Sequence, residues 1–197
     1  MPDTQRAIRG LFAESIRVKQ AFLESQLAGL ERAVDLVVEA LSEGNKLVLF
    51  GNGGSAADAQ HIAAELVGRF AHDRKPLSAV ALTTDTSALT AIANDYGYEQ
   101  VFARQVRALA LPGDVALAIS TSGRSPSVLR GVEACHQRGV RVIALTGGDG
   151  GPLLAMADVG LLVAGTRHTA RIQETHLLVG HVICELVDQR LGGRTTT

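Results

Sequence analysis

Two helical segments, far apart in the chain, carry side chains that can bind a metal or transfer a proton. In the first, His61 and Glu65 are four residues apart and therefore share one helix face. An imidazole and a carboxylate at this spacing can ligate a metal or act as acid and base, although an exposed ion pair is the more frequent explanation of the spacing alone. Because the pair closely follows a glycine-rich loop, we favour a functional role.

The second helical segment adds an amide and another imidazole. Gln173 and His181 are eight residues apart, which corresponds to roughly 12 Å along a helix axis. A histidine on a mostly apolar helix is more often a buried core residue than a ligand, and we assign His176 of this segment to the core. The spacing alone leaves open whether Gln173 and His181 reach one ion.

A hydroxyl-rich segment at positions 120–125 indicates a phosphate site. Its hydroxyl side chains belong to Ser120, Thr121, Ser122 and Ser125. Backbone N–H groups and the dipole at the start of a helix favour an anion, and the hydroxyls add hydrogen-bond donors. A serine cap before Pro126 is expected in any case, but one cap does not account for four hydroxyls.

A glycine-rich loop, Gly51-Asn52-Gly53-Gly54-Ser55, lets a ligand approach the backbone closely. Asn52 and Ser55 add polar side chains to this surface. The loop matches neither GxGxxG nor a P-loop, and no lysine follows it, so the sequence disfavours a nucleotide as the ligand.

Five short apolar runs predict buried strands, and helical patterns separate them. The predicted strands are 46–50, 78–82, 114–119, 141–145 and 159–163, and the predicted helices are 55–69, 86–110, 125–138, 151–157 and 169–190. This alternation predicts an α/β fold: a doubly wound five-stranded parallel sheet with helices on both faces. Ligands of such sheets bind beyond the carboxyl ends of the strands, which is where both loops lie.

Two further helical patterns within residues 4–43 predict an N-terminal helical pair that covers the sheet or pairs with another subunit. We expect a single domain over residues 1–197. It consists of N-terminal helices at 1–44, an α/β core at 45–191 and a disordered tail at 192–197.

Composition restricts the partners of the chain. The 197 residues carry a formal net charge of -1, which disfavours a general electrostatic attraction to nucleic acid or anionic lipid. No apolar run approaches the ~18 residues of a membrane span. Cys135 and Cys184 lie in helical patterns without a CxxC spacing, so we expect buried reduced thiols and a cytoplasmic location.

Together these motifs resemble the phosphoheptose isomerases, the branch of the sugar isomerase (SIS) domain proteins that acts on sedoheptulose 7-phosphate. The resemblance covers nearly the whole chain. Besides the two loops and residues 58–66, it includes Ala93-Asn94-Asp95-Tyr96, Ala144-Leu145-Thr146-Gly147 and Arg171-Ile172-Gln173-Glu174-Thr175-His176. The order and spacing of all these segments is far more specific than either loop alone.

The resemblance implies a reaction and a set of substrate-binding residues. The reaction is the isomerisation of sedoheptulose 7-phosphate to D-glycero-D-manno-heptopyranose 7-phosphate through an enediol(ate), the first step of nucleotide-activated heptose biosynthesis. The four hydroxyl residues would hold the phosphate. The open-chain sugar would contact Asn52, Gly53, Gly54, Ser55, Glu65, Asn94, Asp95 and Gln173.

The resemblance also implies one Zn²⁺ per subunit, bound by His61, Glu65, Gln173 and His181. Glu65 and His181 match the acid–base pair proposed for the family. Coordination lowers the basicity of a carboxylate, so it stays open whether Glu65 acts mainly as ligand or as base. The family is usually tetrameric, so we expect a homotetramer in which neighbouring chains can complete the site.

Two residues depart from the family's pattern. Arg124 stands where the family often has asparagine, and Ala170 stands where some members have an acidic residue near the sugar.

Some relatives are non-catalytic proteins that bind a bacterial replication initiator, and these lack the glutamate and the histidine at positions 65 and 181. Since this chain has both, the sequence favours an enzyme, either on heptose phosphate or on a different phosphosugar.

Overall fold

A computed structural model describes residues 2–192 and places five parallel strands in one sheet. The strands are β1 (Leu47–Gly51), β2 (Ala79–Ala81), β3 (Val115–Ser120), β4 (Arg141–Gly147) and β5 (Val159–Val163). Their order across the sheet is β2-β1-β3-β4-β5, and every neighbouring pair is parallel. The predicted doubly wound sheet is confirmed.

Helices cover both faces of the sheet. Within residues 2–192 they are α1 (Pro2–Ser42), α2 (Gly54–Val67), α3 (Thr86–Tyr96), α4 (Val101–Leu109), α5 (Pro126–Gln137), α6 (Gly151–Met156) and α7 (Thr169–Leu191). Successive side chains of a strand point to opposite faces. Leu47 and Leu49 of β1 therefore join the core beneath α1, α2 and α7, whereas Val48 and Phe50 join the core beneath α4, α5 and α6.

The N-terminal region differs from the prediction, because the expected helical pair is one helix of 41 residues. No proline lies between Pro2 and Pro76 to break it. Gly10 and Gly29 lie within it, at a cost of only about 1 kcal/mol each. The apolar pattern changes along α1 because its contacts change: Phe12 is exposed, whereas Val34 is fully buried.

The single helix predicted at 86–110 is also corrected, because it is broken near its middle. Gly97 has φ +85, a left-handed conformation that favours glycine, and it ends α3. A short 3-10 turn, Tyr98–Gln100, then leads into α4. The break matters for the site, since it brings Tyr98 against the glycine-rich loop.

The sheet brings the two predicted ligand loops together. β1 and β3 are neighbours, with Gly51 paired to Ile119 in register, so their following loops leave the same edge side by side.

None of the helices described is long and apolar enough to cross a membrane. Of the tail predicted at 192–197, residues 193–197 lie outside the described residues.

Candidate active site

Helices α2 and α7 bring His61 and His181 together, although 120 positions separate them in the chain. Their Nε2 atoms are 2.8 Å apart, and the ring centroids are 5.1 Å apart. The close approach of the helices requires Gly180. A Cβ at that position would lie 2.5 Å from Cδ1 of Ile62, so a larger residue would force the Ile62 side chain or the helices to shift.

Glu65 lies beside this histidine pair. Its Oε1 is 3.5 Å from Nε2 of His61, so the predicted i,i+4 pair does form. The side chain of Glu65 is 24% exposed and that of His61 is 45% exposed. Three of the four predicted metal ligands therefore meet at a surface of the single chain that remains open to solvent.

Gln173, the fourth predicted ligand, lies against the first turn of α2. A Cβ on Gly54 would be 2.3 Å from Nε2 of Gln173, so only glycine allows this contact. His61 follows Gly54 by seven residues, which is about 10 Å of helix rise. The amide of Gln173 thus packs on an earlier turn of α2 than the one that carries His61.

The donor chemistry of this cluster fits zinc. Two imidazole nitrogens and a carboxylate oxygen are typical zinc ligands, and an amide oxygen is a further hard donor. The 2.8 Å between the two Nε2 atoms is a hydrogen-bond distance, at which one ring donates to the other. No group of three or more His, Cys, Asp or Glu among residues 2–192 has the arrangement of a metal site. The zinc site therefore remains a prediction.

A cavity of about 350 Å³ lies where the loops after β3 and β4 meet. Thr121 and Ser122 line it, as expected for residues that hold a phosphate. Arg124, Asp149 and Arg167 also line it, and Nη2 of Arg124 lies 2.7 Å from Oδ2 of Asp149. Hydroxyls and guanidinium groups around one cavity form a favourable environment for an oxyanion.

The other two predicted phosphate residues lie beside this cavity. Ser120 is the last residue of β3 and is only 6% exposed. Ser125 occupies the N-cap position of α5, but its hydroxyl makes no capping bond to the helix backbone. Instead, Oγ of Ser125 accepts a hydrogen bond of 2.8 Å from Asn52.

Asn52 connects the glycine-rich loop to two other segments. Its Nδ2 donates to the hydroxyls of Ser125 and Ser127, and its Oδ1 accepts a bond of 2.8 Å from the hydroxyl of Tyr98. Gly53, with φ +57, precedes the first residue of α2. Ser55 is only 3% exposed, so its side chain faces the protein interior more than the open site.

Asn94 and Asp95 lie apart from these groups. Both are exposed near the end of α3, a helix without a buried residue. Nδ2 of Asn94 donates to Oδ1 of its neighbour at 2.8 Å. Among the described side chains, no hydrogen bond connects either residue to the glycine-rich loop, so their predicted contact with the sugar remains a prediction.

Comparisons with known proteins identify the family of this chain. The SIS domain family model matches residues 11–147. Two relatives named phosphoheptose isomerase are 52% identical over 95% of this chain and 98% of the relative (Aquifex aeolicus), and 54% identical over 97% and 98% (Aromatoleum aromaticum). The chain belongs to the phosphoheptose isomerases of the SIS domain family.

Solved structures of two phosphoheptose isomerases have the same fold as this chain. Phosphoheptose isomerase GmhA from Neisseria gonorrhoeae is 49% identical, with a TM-score of 0.88 over 94% of this chain and 99% of that chain. A phosphoheptose isomerase from Francisella tularensis is 38% identical, with a TM-score of 0.89 over 94% and 98%. The predicted family and fold are therefore confirmed.

Sequence reasoning missed three residues around the site of this SIS domain: Tyr98, Asp149 and Arg167. A signal existed for Asp149, since it follows β4 at the same edge of the sheet as the hydroxyl-rich loop. Arg167 lies in the loop before α7, and Tyr98 follows the break at Gly97. Only the packing of these segments brings the two residues to the site.

The pKa values of His176 on α7 and Asp58 on α2 are shifted. Burial lowers the pKa of His176 to about 4, although its Nε2 lies 3.2 Å from the carbonyl oxygen of Thr146. His176 is therefore a neutral core residue at pH 7, as predicted. Partial burial raises the pKa of Asp58, whereas the nearby charge of His61 lowers it less strongly.

Proposed function

We propose that this chain is an aldose–ketose isomerase that converts sedoheptulose 7-phosphate to D-glycero-D-manno-heptopyranose 7-phosphate. The observation that carries the proposal is the meeting of Glu65, His61 and His181 from two distant helices. A carboxylate and imidazoles at one surface are suited to moving protons between neighbouring atoms of a sugar. Relatives about half identical over most of the chain, named phosphoheptose isomerase, support the same reaction.

The reaction moves one proton between adjacent carbons. A proton leaves C1 of the ketose and one is added at C2, while the C2 carbonyl oxygen gains a proton and the C1 hydroxyl loses one. The carboxylate of Glu65 is the base that removes the carbon-bound proton. The imidazole of His181 can both donate and accept, so it moves the protons at the two oxygens through the enediol.

Zn²⁺ is proposed as the metal, one per subunit, at His61, Glu65 and His181 with the Gln173 amide as a further donor. When bound, it would polarise the carbonyl and stabilise negative charge on the enediolate oxygens. Glu65 belongs to both the ligand set and the acid–base pair, and its one described ion pair is the 3.5 Å contact with His61. Either role is open to a carboxylate that remains partly exposed.

The phosphate supplies binding energy at a distance from the reacting carbons. Thr121 and Ser122 line the cavity, and their hydroxyls are the proposed hydrogen-bond donors to the phosphate oxygens. Asn52 bonds to Ser125 next to this cavity, and Gly54 packs on Gln173, so the glycine-rich loop connects the phosphate end to the helices that carry the acid–base groups. The open-chain sugar lies along this loop.

A second copy of the chain is the proposed occupant of the apolar surface of α1. Six large apolar side chains of α1 are at least half exposed in the single chain: Ile8, Leu11, Phe12, Ile16, Leu23 and Leu27. An apolar row of this length favours association, because monomeric proteins rarely expose one. A homotetramer, as the resemblance implies, would bury this row.

The metabolic role follows from the substrate. A heptose 7-phosphate aldose is the starting material for nucleotide-activated heptoses, so we place the reaction at the first step of ADP-heptose and lipopolysaccharide precursor synthesis. Cys135 and Cys184 are free and buried. Unpaired thiols suit a reducing compartment, which supports a cytoplasmic location.

The competing hypothesis is a non-catalytic SIS protein that binds a replication initiator. Such a protein needs neither a carboxylate nor an imidazole at these positions. Glu65 and His181 both approach His61 here, which favours the enzyme.

The decisive experiment incubates the purified chain with sedoheptulose 7-phosphate and Zn²⁺ in D₂O and follows the mixture by NMR. We expect aldose signals and incorporation of solvent deuterium at C2, because the transferred proton passes through an exchangeable side chain. Fructose 6-phosphate serves as the comparison substrate. Absence of heptose turnover would contradict the proposed function, and faster turnover of the hexose would assign a different sugar.

A further inference from the structure

The rim of the phosphate cavity holds an ion pair that the proposed reaction does not use. Arg124 belongs to the hydroxyl-rich loop, and Asp149 belongs to the loop after β4. Their side chains meet at 2.7 Å, and both residues line the cavity. The pair therefore bridges the two loops that form the binding surface for an anion.

This ion pair is exposed enough to exchange partners. The Arg124 side chain is 56% exposed and that of Asp149 is 60% exposed. Exposed ion pairs are weak because water competes for both charges. A phosphate dianion carries more charge than a carboxylate and accepts two parallel bonds from a guanidinium. Arg124 is therefore better satisfied by a phosphate in the cavity than by Asp149.

Asp149 remains stabilised when Arg124 leaves it. The backbone N–H of Gly151 donates to its Oδ1 at 3.1 Å. This bond, together with Arg124 and to a smaller extent Arg167, lowers the pKa of Asp149. The carboxylate thus keeps its hydrogen bond to Gly151 when Arg124 turns to the phosphate.

We propose that Arg124 is a specificity-determining residue that exchanges Asp149 for the phosphate of the substrate. The hydroxyls of Thr121 and Ser122 can form hydrogen bonds with any polar group, whereas the guanidinium of Arg124 binds negatively charged groups preferentially. The cavity then selects a dianionic phosphate ester over a neutral sugar. The inference rests on the proposed function for the identity of the sugar, but binding of the phosphate group itself can be tested independently.

The test compares R124N with R130N, a matched control. Arg130 lies on α5 and pairs with Glu133 at 2.9 Å with 51% exposure, so R130N removes the same charge from a similar pair outside the cavity. Calorimetry measures the affinity for inorganic phosphate, and kinetics measure KM and kcat for sedoheptulose 7-phosphate. R124N should weaken phosphate binding by about tenfold to a hundredfold, because bonds between charged groups are strong. Its KM should rise with kcat retained, and R130N should match the wild type.

A second variant tests the exchange itself. D149N keeps an oxygen acceptor for Gly151 but removes the carboxylate that competes for Arg124, so it should bind inorganic phosphate a few-fold more tightly. Unchanged phosphate binding in R124N, or weaker binding in D149N, would overturn the inference. Phosphate binding that depends on Arg124 in a chain without isomerase activity would refute only the proposed function. Turnover with an unchanged KM in R124N would refute only this inference.

Discussion

The buried guanidinium of Arg74 is ion-paired with the buried carboxylate of Asp188, and this pair fastens the end of α2 to the last turns of α7. The side chains are only 3% and 2% exposed. Arg74 also donates to the carbonyl oxygens of Leu66 and Glu65, and Asp188 accepts the N–H of Ala71. The polar groups of the pair are thus well satisfied, and they hold the backbone of Glu65 in place relative to α7.

Removing one partner of this pair should strongly destabilise the protein. We expect D188N to lower the free energy of unfolding by about 3–5 kcal/mol, because it leaves a buried guanidinium without its counter-charge. Urea denaturation measures the change. D35N is the control, since Asp35 pairs with Arg190 at the surface with 57% exposure of its side chain; its effect should stay below about 1 kcal/mol. Equal losses in the two variants would contradict this prediction.

Replacement of the proposed base should abolish catalysis and preserve the fold. E65Q keeps the size of the side chain but cannot accept the carbon-bound proton, so kcat should fall at least ~100-fold. The loss of deuterium exchange at the sugar carbon should accompany it, and urea denaturation should remain close to wild type. E185Q is the control, because Glu185 is an exposed carboxylate on α7. Wild-type exchange in E65Q would remove this residue from the role of base.

Removal of the metal should be reversible, and the ligands should be identifiable without measuring activity. After chelation, titration with Zn²⁺ against a chromophoric chelator should give one tight site per chain. H61A and H181A should each reduce the affinity by more than the roughly 10–100-fold expected for losing a group outside the ligand set. H72A changes an exposed histidine elsewhere and should bind as the wild type does. Unaltered zinc affinity in H61A would disprove the assigned site.

A charge in the apolar row of α1 should disrupt the proposed homotetramer. Leu23 is 54% exposed in the single chain, and Leu111, in the loop before β3, is 56% exposed. We expect L23E to reduce the molar mass measured by light scattering, since burying an unpaired carboxylate in an interface costs several kcal/mol per ion. L111E introduces the same charge away from α1 and should retain the tetramer mass. The α1 interface would be refuted by an intact tetramer in L23E.

The buried His176 should make the protein sensitive to mild acid. Its folded pKa of about 4 lies below the ordinary histidine value of 6.5, so between these values the unfolded chain binds a proton that the native state does not. The free energy of unfolding should therefore fall as the pH decreases through this window, by up to about 1.4 kcal/mol per pH unit. Above pH 6.5 both states leave His176 neutral, and the residue causes no pH dependence.

The measurement is urea denaturation at several pH values. H176Q should flatten the dependence between pH 6.5 and 4, whatever its effect on stability at pH 7. H72Q replaces an exposed histidine and should leave the slope unchanged. Parallel curves for H176Q and the wild type would show that another group causes the acid response.

Element boundaries show how far sequence patterns reach. The five strands lie within two residues of their predicted bounds, because a strand buried on both faces must be a continuous apolar run. The two wrong predictions, the helical pair within 4–43 and the single helix at 86–110, arose where the apolar pattern does not show whether the helix continues or breaks. The apolar stripe of α1 shifts with its contacts rather than with a break in the helix, and Gly97 ends α3 inside an otherwise helical pattern.

Sequence patterns alone predict the sheet, the two ligand loops at one of its edges, and the family to which the chain is similar. Each follows from local periodicity or from short segments in a fixed order. The folded chain was needed to show that His61 meets His181, that Asn52 bonds to Ser125, and that Arg124 reaches Asp149. These contacts join residues distant in the chain, and they depend on which strands are neighbours in the sheet and on how closely α2 and α7 pack. At Gly180, for instance, a single Cβ would come within 2.5 Å of Ile62 on α2.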